Sequence, residues 1–349
     1  MLKWYKEAAN NSDVIISSRV RLARNLKKYP FSIKLNDQQA DLLVQEVGEA
    51  GKVLVTQTNK KYNFCNVNVL TDIDKIAMVE RHVISPLLVE KEQSTGLILS
   101  EDEKVSIMIN EEDHLRIQSV TGGMNIFEAF KTANLIDDIT SELFDFAFSE
   151  KYGYLTSCPT NLGTGLRASY MMFLPALTVA GRITQLAEEL GKYGIALRGT
   201  YGEASKSYGN IYQISNQKTL GSTEKEIIER LNRIVEQVMR QERRQREYLL
   251  TNSYDEIEDK VYRSYGILKY AKQISSADAM ALLAQLKFGA DMELIHIGQN
   301  YNIHELMMNI QPGNLQYQLD KAISSTQRDK FRADYIRKTL PNIVCSKFI

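Results

Sequence analysis

Residues 97–123 read LILSEDEKVSIMINEEDHLRIQSVTGG. Three apolar runs, Leu97–Leu99, Val105–Ile109 and Leu115–Val120, are separated by the acidic turn Glu101-Asp102-Glu103 and by the turn Asn110–His114. Thr121-Gly122-Gly123 ends the last run. Short β-rich runs joined by tight polar connections predict an antiparallel meander. The expected fold class is therefore α+β, with an antiparallel sheet at the core. Outward from the meander, Val14–Ser17, Lys52–Thr58, Phe64–Leu70, Ile195–Arg198 and Ile211–Ser215 read as further strands. Helices are predicted over about Asn125–Glu150 and Arg182–Leu190.

The pattern changes near Gly221. Thr223 with Glu226 makes a capping box, and Ile227, Leu231, Ile234, Val235 and Val238 follow at helical spacing, continuing toward Arg240–Tyr248. Ser253 with Glu256 and Asn302 with Glu305 open further helices by the same pattern. The basic run Arg240–Arg246 reads as a solvated helix surface. A boundary in the region 221–250 divides the chain into a mixed unit, 1–225, and a helical unit, 226–349.

The 349 residues carry 43 basic and 43 acidic side chains, so bulk charge gives no reason to expect nonspecific nucleic-acid binding. Cys65, Cys158 and Cys345 are widely spaced, without a CxxC or Cys/His cluster, which argues against a zinc site or a disulfide framework and fits a reducing compartment. The start, MLKWYKEAANNSD, has no apolar signal region. The longest apolar stretch, around Tyr170–Ala180, is too short to span a bilayer and contains Pro175. A soluble, cytoplasmic protein with no membrane association is expected.

Arginines recur at strand ends, turns and glycine loops. Arg19 and Arg21 lie two apart in Ser17-Ser18-Arg19-Val20-Arg21 and share a face if extended. Arg116 follows an acidic turn. Arg167 follows the glycine turn of Cys158-Pro159-Thr160-Asn161-Leu162-Gly163-Thr164-Gly165-Leu166-Arg167-Ala168-Ser169, and Arg198 opens Arg198-Gly199-Thr200-Tyr201-Gly202-Glu203. Converged, they would hold a polyanion such as a nucleoside triphosphate. Taken singly, each is an ordinary surface arginine. Glu111, Glu112 and Glu203 sit beside them; turn-borne carboxylates could orient and deprotonate a cationic guanidinium, or simply be solvated. Cys158 reads either as a thiolate near a cation or as an inert buried thiol. Walker, HRD and DFG motifs are absent, so a kinase here would belong to neither common class.

Together, Ser17–Arg24, Asn110–Arg116, Cys158–Ser169 and Arg198–Glu203 resemble the phosphagen (guanidino) kinase family, in family order. The stretch Gly209–Gln217 and the closing helices are similar to its bacterial protein-arginine kinase branch, and the resemblance then covers essentially the whole chain. The resemblance implies a phosphagen-kinase-like catalytic unit and transfer of the ATP γ-phosphate to protein arginines. It implies ATP contacts from Ser17, Ser18, Arg19, Val20, Arg21, His82, Arg116, Arg167, Ala168, Ser169, Tyr170, Met171, Arg198, Gly199, Thr200, Tyr201, Gly202 and Glu203. Mg²⁺ is expected to be carried by ATP rather than by protein side chains. Glu111, Glu112, Glu203 and Cys158 are expected at the substrate guanidinium, with Glu112, Glu203 and Cys158 taking part in the chemistry. By spacing alone, His82 is a structural histidine. Lys206 stands where a more acidic loop is expected.

The arginine motif arrives by Arg19, without the small helical domain with which metabolite phosphagen kinases begin, which favours a protein-borne arginine. Arg328-Asp329-Lys330-Phe331-Arg332-Ala333 would be an ordinary charged helix face by spacing. The resemblance makes it an RDxxRA motif, an allosteric phosphoarginine site formed by Arg328, Asp329, Arg332 and Ala333. The implied partners are protein substrates with exposed arginines, a heat-shock repressor, a Clp ATPase and protease, a zinc-binding activator protein, and a second copy of the chain. Two alternatives are a kinase of a free guanidino metabolite and a non-catalytic phosphoarginine reader.

Overall fold

The computed structural model describes residues 3–7, 10–200, 207–298 and 301–345. Its strands are β1 (Ile15–Arg24), β2 (Tyr62–Asn66), β3 (Gly96–Ser100), β4 (Val105–Ile109), β5 (Leu115–Gly122), β6 (Phe148–Ser149), β7 (Gly153–Tyr154), β8 (Leu166–Phe173), β9 (Ile195–Gly199), β10 (Ile211–Asn216), β11 (Ile295–Ile297) and β12 (Ile343–Cys345). Its helices are α1 (Asp37–Thr58), α2 (Asp72–Glu80), α3 (Pro86–Glu90), α4 (Ile126–Leu143), α5 (Pro175–Val179), α6 (Ile183–Lys192), α7 (Glu224–Asn252), α8 (Tyr254–Tyr270), α9 (Ser276–Asp291), α10 (Ile303–Asn309), α11 (Pro312–Leu319) and α12 (Ser325–Thr339).

The meander β3-β4-β5 forms within an eight-stranded sheet of order β2-β3-β4-β5-β1-β8-β10-β9, antiparallel throughout. Side chains alternate between the two faces. Val20, Leu22, Leu115, Ile117, Ala168, Tyr170, Met172 and Ile214 turn to one face and are buried beneath α1, α4 and α7. The other face carries the arginines. Ile16, Met171, Phe173 and Ile211 join a second core with the helices from α8 onward. The long helix α7 begins in the first core, through Ile227, Leu231, Val235 and Val238, and reaches the second through Leu249 and Leu250.

Several expectations are corrected. Lys52–Thr58 is the end of α1, not a strand. Asn36 and Gln39 close a capping box there, and Ala40, Leu43, Val44, Val47 and Leu54 are buried at helical spacing. That packing overrides the β preference of Val53, Val55 and Thr56. Phe64–Leu70 pairs only as far as Asn66 and then makes a 3₁₀ turn, Val67–Val69. The helix expected to reach Glu150 stops at Leu143. Thr223 caps α7 as expected, whereas Ser253 makes no side-chain cap for α8. The short pair β11-β12 interrupts the helical half.

The run Arg240–Arg246 is not simply a solvated surface. Glu242 is wholly buried and accepts the backbone N–H groups of Ala176 and Leu177 at 3.0 Å each, satisfying the start of α5. Arg246 donates to Glu242 at 2.8 Å and to the Asp13 carbonyl at 2.9 Å, and lies over the Phe173 and Phe288 rings. Arg243 makes a two-pronged contact with Asp13.

Candidate active site

Pairing register builds the site. Arg21 on β1 stands opposite Arg167 on β8 and Gln118 on β5, Arg19 stands opposite Ser169 and Val120, and Gln213 on β10 stands opposite Arg198 and Met171. Directly opposed residues share a face, so Arg19, Arg21, Arg116, Arg167 and Arg198 all project from the side of the sheet away from α1 and α4. The three adjoining strands β5, β1 and β8 and the edge strand β9 thus deliver cations to one surface.

The polar groups around these arginines serve to orient them. Arg19 donates to Gln213 Oε1 at 2.7 Å and to Ser169 Oγ at 3.5 Å, and Arg167 donates to Ser215 Oγ at 3.3 Å. The Nε atoms of Arg21 and Arg167 are enclosed without a hydrogen-bond partner among the described residues. Burial, then Arg19, Arg116 and Arg167, hold the Arg21 guanidinium well below its usual pKa, with Glu111 opposing. Arg167 is lowered by burial and then by Arg198 and Arg116, with Glu112 and Cys158 opposing. Arginine remains charged, so these shifts describe cations stripped of water by burial and, secondarily, crowded by one another with too little negative charge among them. A polyanion would relieve that crowding.

The carboxylates gather at Arg116. Its Nη1 donates to Glu111 at 2.6 Å and its Nη2 to Glu112 at 3.3 Å. The two acids are not equivalent. Glu111 is enclosed and also accepts from the Ser85 hydroxyl and the Glu112 backbone N–H. It anchors Arg116 and is not open to a substrate. Glu112 is 32% exposed and accepts from Asn161 Nδ2 at 3.2 Å, which ties it to the loop after Cys158. Cys158 is half-buried, with Sγ 3.0 Å from Thr160 Oγ1. A pocket beside this loop is lined by Thr160, Asn161, Arg167, Arg198 and Gln217.

A second, small pocket at Arg19 is lined by Trp4, Ser17, His82, Ser169, Met171 and Gln213. His82 has a left-handed backbone, φ 60°, and its carbonyl accepts from Gln118 at 2.8 Å. Burial, then Arg19, His304 and Arg21, push its imidazole down to about 3, so it enters this wall neutral. Ser18, Val20, Ala168 and Tyr170, expected at the nucleotide, turn to the helix-covered face. The Ser18 hydroxyl donates to the Gly123 carbonyl at 2.6 Å, and Tyr170 donates to Asn232 at 2.5 Å. Gly199 ends β9, and Thr200 donates to the Ile211 carbonyl at 2.6 Å. The expectations for Tyr201, Gly202, Glu203 and Lys206 lie outside the described residues. Trp4, Gln213, Ser215 and Asn161 also stand on this face, although the motifs assign them no role. The alternation Ile211, Gln213, Ser215 on β10 was the available signal for two of them.

Far along the chain, Arg332 is 1% exposed and donates Nε to the Ile310 carbonyl at 2.9 Å and Nη1 to the Ile274 carbonyl at 3.0 Å and to Asp329 at 2.6 Å. Arg328 is half-buried, with a 3.5 Å contact to the Ile323 carbonyl, and Ala333 is buried.

The ATP:guanido phosphotransferase C-terminal catalytic domain family matches residues 44–245, and the protein-arginine kinase McsB C-terminal domain family matches residues 254–347. A protein-arginine kinase of Bacillus cereus is 43% identical over 340 residues, covering 97% of this chain and 95% of that one. The chain belongs to the protein-arginine kinase family. Relatives of the same description from Brevibacillus brevis and Halothermothrix orenii are 40% and 41% identical, each over 97% of this chain and over 94% and 96% of their own lengths. Among solved structures, a duplicated taurocyamine kinase of Schistosoma mansoni with bound transition-state-analogue components has a TM-score of 0.60 at 28% identity. That match covers 68% of this chain and spans about a third, 34%, of the duplicated enzyme. A lombricine kinase shares the fold, with a TM-score of 0.57 at 23% identity over 69% of each chain. The kinase is thus an ATP:guanido phosphotransferase that acts on protein arginine. Among the described residues, no helix is long and apolar enough to cross a membrane.

Proposed function

We propose that the arginine face binds the ATP phosphates and that the rim at Glu112 and Cys158 receives the guanidinium of a protein arginine. The observation that carries this reading is the convergence of the arginines on one face of the sheet, with Nε atoms of Arg21 and Arg167 enclosed and without a hydrogen-bond partner among the described residues. Arg19, Arg21, Arg116, Arg167 and Arg198 would hold the phosphates, and Ser17, His82, Ser169 and Met171 would line the nucleoside end. Phosphoryl transfer is driven mainly by positioning and by stabilising charge spread over the transferring group, and fixed guanidiniums supply both.

The nucleophile is an arginine nitrogen, unreactive while its lone pair is delocalised. Glu112 is placed to orient the guanidinium by charge-assisted hydrogen bonds and to accept a proton as the N–P bond forms and the bond to the ADP oxygen breaks. Glu203 is proposed as its second carboxylate on the family resemblance alone. Glu111 is enclosed and held by Arg116, which suits an Mg²⁺ ion that would be carried on the nucleotide and would supply further charge neutralisation there. Among the described residues, no cluster of three or more His, Cys, Asp or Glu side chains is arranged to hold a metal.

Phosphorylation of proteins in this way would mark them for a Clp protease and modify a heat-shock repressor, in the cytoplasm, with a zinc-binding activator and self-association as further expectations. Arg328, Asp329, Arg332 and Ala333 would form a phosphoarginine site, with Arg328 the open donor and Arg332 anchored by main-chain carbonyls. Radiolabelled ATP with separate protein and free-arginine substrates tests the activity. Acid-labile label on the protein supports it, and label on free arginine alone overturns it.

A further inference from the structure

The helix α11 reaches the wall of the Arg19 pocket through a junction with α2. Glu80, the last residue of α2, accepts the backbone N–H of Gly313 at 2.7 Å and that of Asn314 at 2.8 Å, capping α11 with both carboxylate oxygens. Burial raises the Glu80 pKa, against those two N–H groups, Arg81 and Arg332. Arg332 of the α12 motif is therefore an electrostatic neighbour. Arg81 donates to Asn314 Oδ1 at 2.9 Å and to Glu103 at 3.1 Å, and its guanidinium lies 5.2 Å from the Tyr317 ring centroid.

Contact here is close. A Cβ on Gly313 would stand 2.8 Å from the Ala77 nitrogen and 2.6 Å from an Ile76 methyl, so only glycine lets α11 lie against α2. The next residue after Arg81 is His82, held in its left-handed conformation and forming a wall of the Arg19 pocket. Its ring is 6.3 Å from the Trp4 ring, and the Trp4 ring is 6.2 Å from His304 on α10.

We propose that Glu80 and Arg81 are positioning residues for the nucleotide site: by clamping α11 to α2 they set His82, so that the helical half of the chain completes the pocket beside Arg19. The clamp touches neither nucleotide nor substrate. The Arg332 guanidinium, bonded to the Ile310 carbonyl just before α11, gives the α12 motif a short structural route to the same junction. The inference rests on the arginine face being the nucleotide site.

The test uses the full-length kinase with Glu80→Gln and Gly313→Ala. Glu80→Gln keeps the shape but replaces one acceptor oxygen with a donor facing an N–H. Each variant is assayed for KM and kcat with ATP on a protein substrate, and for ADP binding through emission of Trp4, the sole tryptophan. The expected result is an ATP KM and an ADP Kd raised by about tenfold, with kcat within about twofold at saturating ATP. Asn36→Ala, which removes the cap of α1 away from the junction, controls for stability loss and should leave KM unchanged. Unchanged KM and Kd in both junction variants, or the same rise in Asn36→Ala, overturns the proposal. If Gly313→Ala fails to fold, Glu80→Gln alone decides. Arg21→Gln separates the two readings: if it leaves ADP binding intact, the nucleotide site itself is wrongly placed.

Discussion

Replacing Arg21 by Gln should lower activity by roughly a hundredfold or more while making the unliganded protein no less stable. Arg21 sits among Arg19, Arg116 and Arg167, with its Nε enclosed and without a hydrogen-bond partner among the described residues. Like unit charges about 4 Å apart repel by about 4 kcal/mol at an effective dielectric of about 20, and the repulsion falls as the inverse of distance. Solvent at the half-buried tips reduces this, so removing Arg21 should return about 1 kcal/mol to the apo fold after the loss of its stem packing. For a chain of this length that is a rise in Tm of about 1–2 °C. A charge-assisted hydrogen bond contributes about 1.5–3 kcal/mol. Losing a two-pronged phosphate contact should therefore lower kcat/KM by roughly 10²–10⁴-fold. Thermal unfolding with and without ATP reads both effects. Wild type should gain about 2.7 kcal/mol at 100-fold excess of ATP over Kd, and the variant should gain almost nothing. A less stable apo variant that keeps kcat/KM within tenfold would refute the argument that unbalanced positive charge marks the phosphate site.

Other perturbations follow from the same structure. Arg332→Ala should cost about 3–5 kcal/mol in denaturant unfolding, because Asp329 and two carbonyls lose a buried partner, whereas Arg328→Ala should leave stability within about 0.5 kcal/mol and weaken phosphoarginine binding by calorimetry. Glu242→Ala should destabilise by about 3–5 kcal/mol, leaving Arg246 buried without its carboxylate; a change below about 1 kcal/mol would return the run to a solvated surface. His82 and His304 are both held down to about 3 from an ordinary 6.5. Both are neutral in the folded and unfolded states above pH 6.5, so they add no penalty there. Below it the unfolded chain takes up protons that the fold refuses, and stability falls by about 1.4 kcal/mol per pH unit for each histidine until about pH 3. His304→Gln should remove one such contribution from the slope between pH 6 and 4, measured by urea unfolding. Glu112→Gln should lower kcat far more than the KM for ATP, since Glu112 faces the guanidinium rim; equal effects on both would place it with the nucleotide.

What the sequence made legible was whatever depends on alternation and local chemistry. The meander around Val105–Ile109 and the shared face of Arg19 and Arg21 follow from a period of two, and the Thr223 cap follows from its capping box. Lys52–Thr58 misled because β-branched residues were weighed over a short window, while the deciding signal was the Asn36 capping box 16 residues upstream of Lys52. The buried pair Glu242 and Arg246 could not be told from a surface ion pair by spacing, since their partners, Ala176 and Asp13, are remote in the chain. The unequal roles of Glu111 and Glu112 were likewise hidden. Adjacent acids in one turn look alike until the fold encloses one of them with Ser85.

The most direct test of the account is mass spectrometry at neutral pH on a protein substrate incubated with ATP and the kinase, with free arginine in a parallel reaction. The account predicts phosphoarginine on the protein, little on free arginine, and loss of the modification with Arg21→Gln. Phosphorylation of free arginine alone, or a full yield of protein phosphoarginine from Arg21→Gln, would contradict it.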